Sequence, residues 1–190
     1  MENTNIRDEI HKRVEEFKAT LTPEESRLHE EALIKIFVDK KPIYEAVGIS
    51  KESLEYLYSH AYSLYNAAKY EEAKNIFFML NFLDPKDLRF PYSIAACYHM
   101  TKKYASALAL YLECLLKDTY NPLLCWHLAD CYNQLGKKVS ALLMLKMCIR
   151  FASKDPAFQP LKTRAEHELA FIERELDEEL KKEPATTKNE

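Results

Sequence analysis

Three side chains near the middle of the chain have the types that hold zinc: Cys125, His127 and Cys131. On a helix His127 and Cys131 share a face, but Cys125 points elsewhere. No Cys-x-x-Cys pair supplies the usual ligand spacing, so no metal is expected. Cys97 echoes Cys131, and Cys114 echoes Cys148, each pair 34 residues apart, which is the pattern of small packing residues. His60 shares a column with Ile94 and Leu128 and is expected in the interior with its hydrogen bonds satisfied. His99 is expected to face a groove as a hydrogen-bonding group. The acidic run Glu173 to Glu183 reads as a solvated helix face. The chain has no Gly-rich loop to cradle phosphates and no paired nucleophile and base, so neither a cofactor nor catalysis is expected.

Composition narrows the class further. The 190 residues are 47% hydrophobic and 30% charged, with only 2 Gly, which favours helices over a β-rich or Gly-loop architecture. A formal charge of −3 lacks the basic footprint of a nucleic-acid binder, so no nucleic acid is expected as a partner. No apolar run approaches the roughly 18 residues of a membrane span, so no stable membrane insertion is expected. The opening MENTNIRDEIHKRVEEF has no apolar segment of the kind that directs secretion. Five cysteines, an odd number, fit a reducing compartment.

The elements that must position any site come from an internal echo. Ala73, Ala107 and Ala141 recur every 34 residues, as do Ala61, Ala95 and Ala129. Leu64, Tyr98 and Tyr132 form a third column, and Phe77, Tyr111 and Leu145 a fourth. A 34-residue period of small and bulky residues marks the tetratricopeptide repeat, a pair of antiparallel helices that stacks on its neighbours. Three repeats are expected, over 54–87, 88–121 and 122–155, with turns at Ala68-Lys69, Lys102-Lys103 and Gly136-Lys137. The fold class is therefore an all-α tetratricopeptide superhelix with N-terminal helices and a C-terminal capping helix.

Residues 1–49 form a helical extension. Ile6, Ile10, Val14 and Phe17 recur at helical spacing, and Thr22-Pro23-Glu24-Glu25 starts a second helix with a capping Thr and Pro at the first position. A short helix near 41–47 ends at Gly48. Residues 50–182 hold the repeats and a last helix, 156–182, whose stripe Leu161, Ala165, Leu169, Ile172 and Leu176 covers the open end of the stack. The tail, 183–190, is polar and expected to be disordered. The third repeat diverges most, with Lys138 where the others have Tyr70 and Tyr104.

First helices of such repeats line a concave face, and positions 2, 5, 9 and 12 of each repeat share one side. These are Glu55, Tyr58, Tyr62 and Tyr65, then Arg89, Tyr92, Ala96 and His99, then Leu123, Trp126, Asp130 and Asn133. Position 5 is aromatic throughout. Rings with a polar tip give large contact area at low entropy cost, so a peptide groove is expected over Tyr58, Tyr62, Tyr65, Arg89, Tyr92, His99, Trp126, Asp130 and Asn133. An alternative is a scaffold or regulatory adaptor that binds another protein, either a folded partner or a C-terminal carboxylate; for the carboxylate only Arg89 and Asn133 have suitable chemistry.

The stretch 53–90, SLEYLYSHAYSLYNAAKYEEAKNIFFMLNFLDPKDLRF, resembles the class II chaperones of bacterial type III secretion. Leu54, Leu57, Tyr58, Ala61 and Tyr65 match one family run; Tyr70, Ala73 and Phe77, followed by Leu83-Asp84, match a second. The link Asp87-Leu88-Arg89-Phe90 is similar to the family's start of the second repeat. The resemblance spans about 30–175 and implies a chaperone of the bacterial cytoplasm that holds an extended segment of a hydrophobic translocator in its groove and keeps it soluble for export. It implies no enzyme activity. It also implies a homodimer through N-terminal helices, here through Leu28, Leu33, Ile36 and Phe37.

Overall fold

In the computed structural model, which describes residues 2–17 and 20–182, local chemistry sets each helix start. Helix α1 runs Glu2–Phe17, α2 Pro23–Phe37 and α3 Ile43–Ala46. Thr22 caps α2 as expected: its hydroxyl accepts from the Glu25 amide at 3.3 Å, and the Glu25 carboxylate accepts from the Thr22 amide at 2.7 Å. The repeats follow as α4 (Lys51–Asn66) with α5 (Tyr70–Leu83), α6 (Arg89–Met100) with α7 (Tyr104–Lys117), and α8 (Pro122–Gln134) with α9 (Lys138–Ala152). Ser50 caps α4, and Asn121 caps α8 by accepting from the Leu123 amide at 2.9 Å. A 3-10 turn, Pro156–Phe158, precedes α10, Gln159–Lys182. The last helix thus starts three residues later than its Pro signal, because Asp155 caps the turn rather than the helix. Among the described residues there is no strand, and the expectation for 183–190 lies outside them.

Two compact units divide the chain, Met1–Phe90 and Pro91–Glu190. In the first, α1 packs on α2, and α4 pairs with α5. In the second, α7 and α9 both pack on α8, and α10 packs on α9. The six alanines of the repeat columns are all buried, five of them with no exposed surface and Ala129 with 3%. Phe77, Tyr111 and Leu145 beside them are at most 1% exposed. A methyl at the crossing lets paired helices approach to about 8 Å, while the large neighbour fills the flank. Pro91 is tolerated because it is the third residue of α6, where no helical amide bond is lost.

One expectation fails. His60 is exposed, although its column partners Ile94 and Leu128 are fully buried. A terminal repeat has a neighbour on one side only, so this column stays open and carries a polar residue. The acidic run also does more than face solvent. Lys138 Nζ lies 2.6 Å from Glu179 and 3.2 Å from Glu175, and Lys146 Nζ lies 3.1 Å from Glu173. These pairs join α9 to α10 and explain why a Lys replaces the column tyrosine.

The three intra-repeat turns share one backbone. Ala68 (φ 61°), Lys102 (φ 59°) and Gly136 (φ 71°) occupy the same repeat position, all left-handed. That region costs an L-residue about 1 kcal/mol and glycine almost nothing. Ala68→Gly and Lys102→Gly are therefore expected to raise stability by roughly 0.5–1 kcal/mol each. Gly136→Ala is expected to lower it by about 1 kcal/mol. Urea denaturation of the three variants checks both signs.

Candidate functional site

In the first unit the expected tyrosines form a ladder along α4. Tyr62 stacks between Tyr58 and Tyr65, its ring centre 6.4 Å from each, and Tyr65 meets the edge of Tyr70 at 5.2 Å. Each such pair contributes about 0.5–1.5 kcal/mol beyond its buried area. The rungs differ in role. Tyr58 leans on the core at Phe77 (5.6 Å) and Phe90 (6.0 Å), whereas Tyr62 is 51% exposed. The ladder thus holds one open ring between two anchored ones, and its spacing of three and four residues follows from the helix.

Arg89 closes the inner end. Its guanidinium lies 4.9 Å above the Tyr58 ring and donates to both carboxylate oxygens of Glu55, to Oε2 at 2.9 Å. It also donates to Asp87, from Nε at 3.0 Å. The Arg89 hydrogen bonds hold the Glu55 carboxyl below the usual range. Pairs this open contribute at most about 1 kcal/mol each, so the effect is geometric: the guanidinium is fixed flat over the ring. A cation engaged by two carboxylates is not placed to clamp a third, which counts against a carboxylate-binding groove at Arg89.

The second unit gathers Tyr92, His99 and Asp130 around a residue that sequence reasoning treated only as a metal candidate, His127. The Tyr92 hydroxyl lies 2.9 Å from His127 Nε2. The His127 ring stacks on Tyr111 at 5.1 Å with planes 9° apart. His99 Nε2 donates to Asp130 Oδ2 at 2.6 Å, and the Gln134 amide reaches Oδ1 at 3.4 Å. The signal for His127 was present: Ser59, Ser93 and His127 form a polar column with the same 34-residue step. Burial pushes the His127 pKa down to about 4, and the nearby His99 adds to the effect. The His99 hydrogen bond lowers that of Asp130.

Trp126 stands apart from this network. Arg164 of α10 covers its ring at 5.0 Å, and a cavity of about 210 Å³ opens between Trp126, Asp130, Asn133, Arg164 and Glu168. Arg164 and Glu168, on the terminal helix, carried no repeat echo and were not anticipated. Cys97, Cys114, Cys125, Cys131 and Cys148 are buried thiols, and burial pushes those of Cys131 and Cys148 up to about 12. Among the described residues no three His, Cys, Asp or Glu side chains come together to hold a metal.

A tetratricopeptide repeat model matches residues 54–87 and 90–118. Among curated proteins no sequence match is found. Solved structures are more informative. The Yersinia enterocolitica type III secretion translocator chaperone SycD is 32% identical over 68% of this chain and 97% of its own, with a TM-score of 0.64. Pseudomonas aeruginosa PcrH, in complex with the chaperone-binding region of PopD, is 31% identical over 67% of this chain and 96% of its own, with a TM-score of 0.65. The chain belongs to the class II translocator chaperones of type III secretion. SycD bound to a peptide of the translocator YopD is likewise 32% identical, covering 66% of this chain and 96% of its own, at a TM-score of 0.63.

This chaperone has a further apolar surface in its first unit. Leu33 and Ile36 line a cavity of about 470 Å³ with Val14, Leu21, Ala32 and Val47. Leu28 and Phe37 lie outside it and are 52% and 51% exposed. Among the described residues no helix is long and apolar enough to cross a membrane.

The His127 shift has a sign that can be checked. Its folded pKa lies below the unfolded value of about 6.5, so the unfolded chain takes up the proton first. Its stabilising effect is complete above about pH 6.5 and is lost as pH falls toward 4. The full loss is about 3 kcal/mol by linkage. Chemical denaturation of the chaperone at pH 7, 6, 5 and 4 is expected to show this decline, and His127→Gln is expected to flatten it.

Proposed function

We propose that this chaperone binds an extended, apolar segment of a hydrophobic translocator and keeps it soluble and export-competent in the bacterial cytoplasm. The observation that carries this is the tyrosine ladder: Tyr62 presents an open ring between two anchored ones, on a helix that belongs to a family whose members are seen with translocator peptides. Rings that are already ordered bind without a large entropy loss. In this reading Tyr58, Tyr62, Tyr65 and Arg89 act in the first unit, and Tyr92, His99, Trp126, Asp130 and Asn133 in the second. The work is burial and hydrogen bonding rather than catalysis, so the protein is not an enzyme. Residues 1–49 form the dimerisation region and 50–182 the binding domain.

The homodimer reading is supported by Leu28 and Phe37, two large apolar side chains half open to water beside an apolar cavity, and by SycD, for which an alternative dimer is known. Leu28→Asp with Phe37→Asp is expected to shift sedimentation from dimer to monomer. A wild-type monomer at high micromolar concentration overturns this part.

For client binding, titration calorimetry with the PopD and YopD chaperone-binding peptides is expected to give a complex with the wild type. Tyr62→Glu is expected to weaken it at least about tenfold, or 1.4 kcal/mol, while the loss of its two ring contacts lowers the unfolding midpoint without abolishing folding. Equal affinity of the variant for both peptides rules the ladder out.

A further inference from the structure

Tyr92 is held differently from Tyr62. Tyr62 keeps its place by stacking, whereas Tyr92 is tethered at the far end of its ring. Its edge meets Tyr111 at 5.6 Å and its hydroxyl meets His127 Nε2 at 2.9 Å, a good distance for a hydrogen bond. We infer that His127 is the positioning residue of the second unit's client face, fixing the Tyr92 ring through its hydroxyl so that the ring is already in place when a segment binds. This inference rests on the client-binding reading above and deepens it.

The position of His127 is itself fixed by the core. Its ring lies nearly parallel on Tyr111, which is fully buried and packs with Ala95, Ala107 and Leu128. A ring stacked on an immobile ring has no freedom to swing, so Nε2 points at a constant place. The hydroxyl of Tyr92 comes from α6 and the imidazole from α8, two helices apart in sequence by 35 residues. The bond therefore ties the first helix of repeat two to the first helix of repeat three, and both belong to the aromatic side expected to meet the client.

The surroundings keep this imidazole neutral and free for Tyr92. The charged and titratable groups that face it are His99 and Tyr92 from α6, Tyr111 from α7, and Asp130 on its own helix. Asp130 is the carboxylate among them, and it is already engaged by His99 Nε2 at 2.6 Å and by Gln134. The two histidines thus divide the work. His99, 5.9 Å from His127, takes the carboxylate, and His127 takes the phenol. In the neutral ring one nitrogen carries the proton and the other accepts; with the proton on Nδ1, Nε2 accepts from the Tyr92 hydroxyl. A part-buried bond between neutral groups contributes little to net stability but fixes the direction of the ring it holds.

A positioning role and a merely packing role separate in a double-mutant cycle on peptide affinity. The probes are the PopD and YopD chaperone-binding peptides, labelled with fluorescein and titrated by anisotropy at pH 7.5 with the full chain. His127→Leu fills the space but cannot bond, and is expected to weaken binding about tenfold, the upper end of one hydrogen bond's effect. Its unfolding midpoint is expected to hold or rise. His127→Gln, which keeps an acceptor for the hydroxyl, is expected to recover most of that loss. Tyr92→Phe is expected to match His127→Leu, and the double variant Tyr92→Phe with His127→Leu is expected to be no weaker than either single one. Independently of any client, Tyr92→Phe is expected to move the imidazole nitrogen resonances of His127 in the free protein.

Wild-type affinity in His127→Leu, additive losses in the double variant, or unmoved His127 resonances overturn the inference while leaving the client-binding reading intact. Failure of the wild type to bind either peptide overturns that reading and this one together.

Discussion

Helix pairs can present an organised surface only if their axes are close, and here that closeness depends on a methyl group at each crossing. Ala61 with Ala73, Ala95 with Ala107 and Ala129 with Ala141 occupy the contact points with almost no exposed surface. A larger side chain at any of them forces the helices apart, and overpacking of this kind disturbs the backbone rather than only the local rotamers. Everything else in the repeats is arranged around that approach: the bulky column that fills the flank, the left-handed residue that turns the chain back, and the cysteines that pack where little room remains. The buried thiols, held protonated, act as small apolar groups.

The two units then treat their aromatic sides in different ways. The first builds a stacked ladder and caps its inner end with Arg89, so that order comes from ring contacts and one guanidinium held by Glu55 and Asp87. The second builds a hydrogen-bonded cluster, with His127 against Tyr92 and His99 against Asp130, above a fully buried Tyr111. Stacking tolerates small shifts of a bound segment, because ring faces attract over a range of offsets. A hydrogen-bonded cluster does not, because its energy falls steeply with angle.

The fold was legible in the sequence wherever identity recurred. The Ala columns, the three turns, the Thr22 cap and the terminal helix all follow from periodicity and end chemistry that act locally. The ladder was legible for the same reason, since Tyr58, Tyr62 and Tyr65 are helical neighbours. What was not legible depends on contacts across helices. His127 was read beside Cys125 and Cys131, its neighbours in sequence, whereas its partners Tyr92 and Tyr111 arrive from other helices. His60 was read from its column, and a column does not reveal that the end of a stack has lost a neighbour. Arg164 and Glu168 lie beyond the last repeat, where no echo marks them. Tyr92 belongs to both groups: its place on a first helix was evident, and its tether to His127 was not.

Repeat proteins carry an inherent hazard, because the surface that receives the next repeat can equally receive a repeat of another molecule. Joined head to tail, such chains grow into filaments. Here Lys138 binds Glu175 and Glu179, and Lys146 binds Glu173, so α10 is held in one register along α9. Ala165 and Ile172 of α10 are buried against the last repeat. Lysine in place of the column tyrosine thus selects an acidic helix from the same chain. Open-ended polymerisation is closed off at this end.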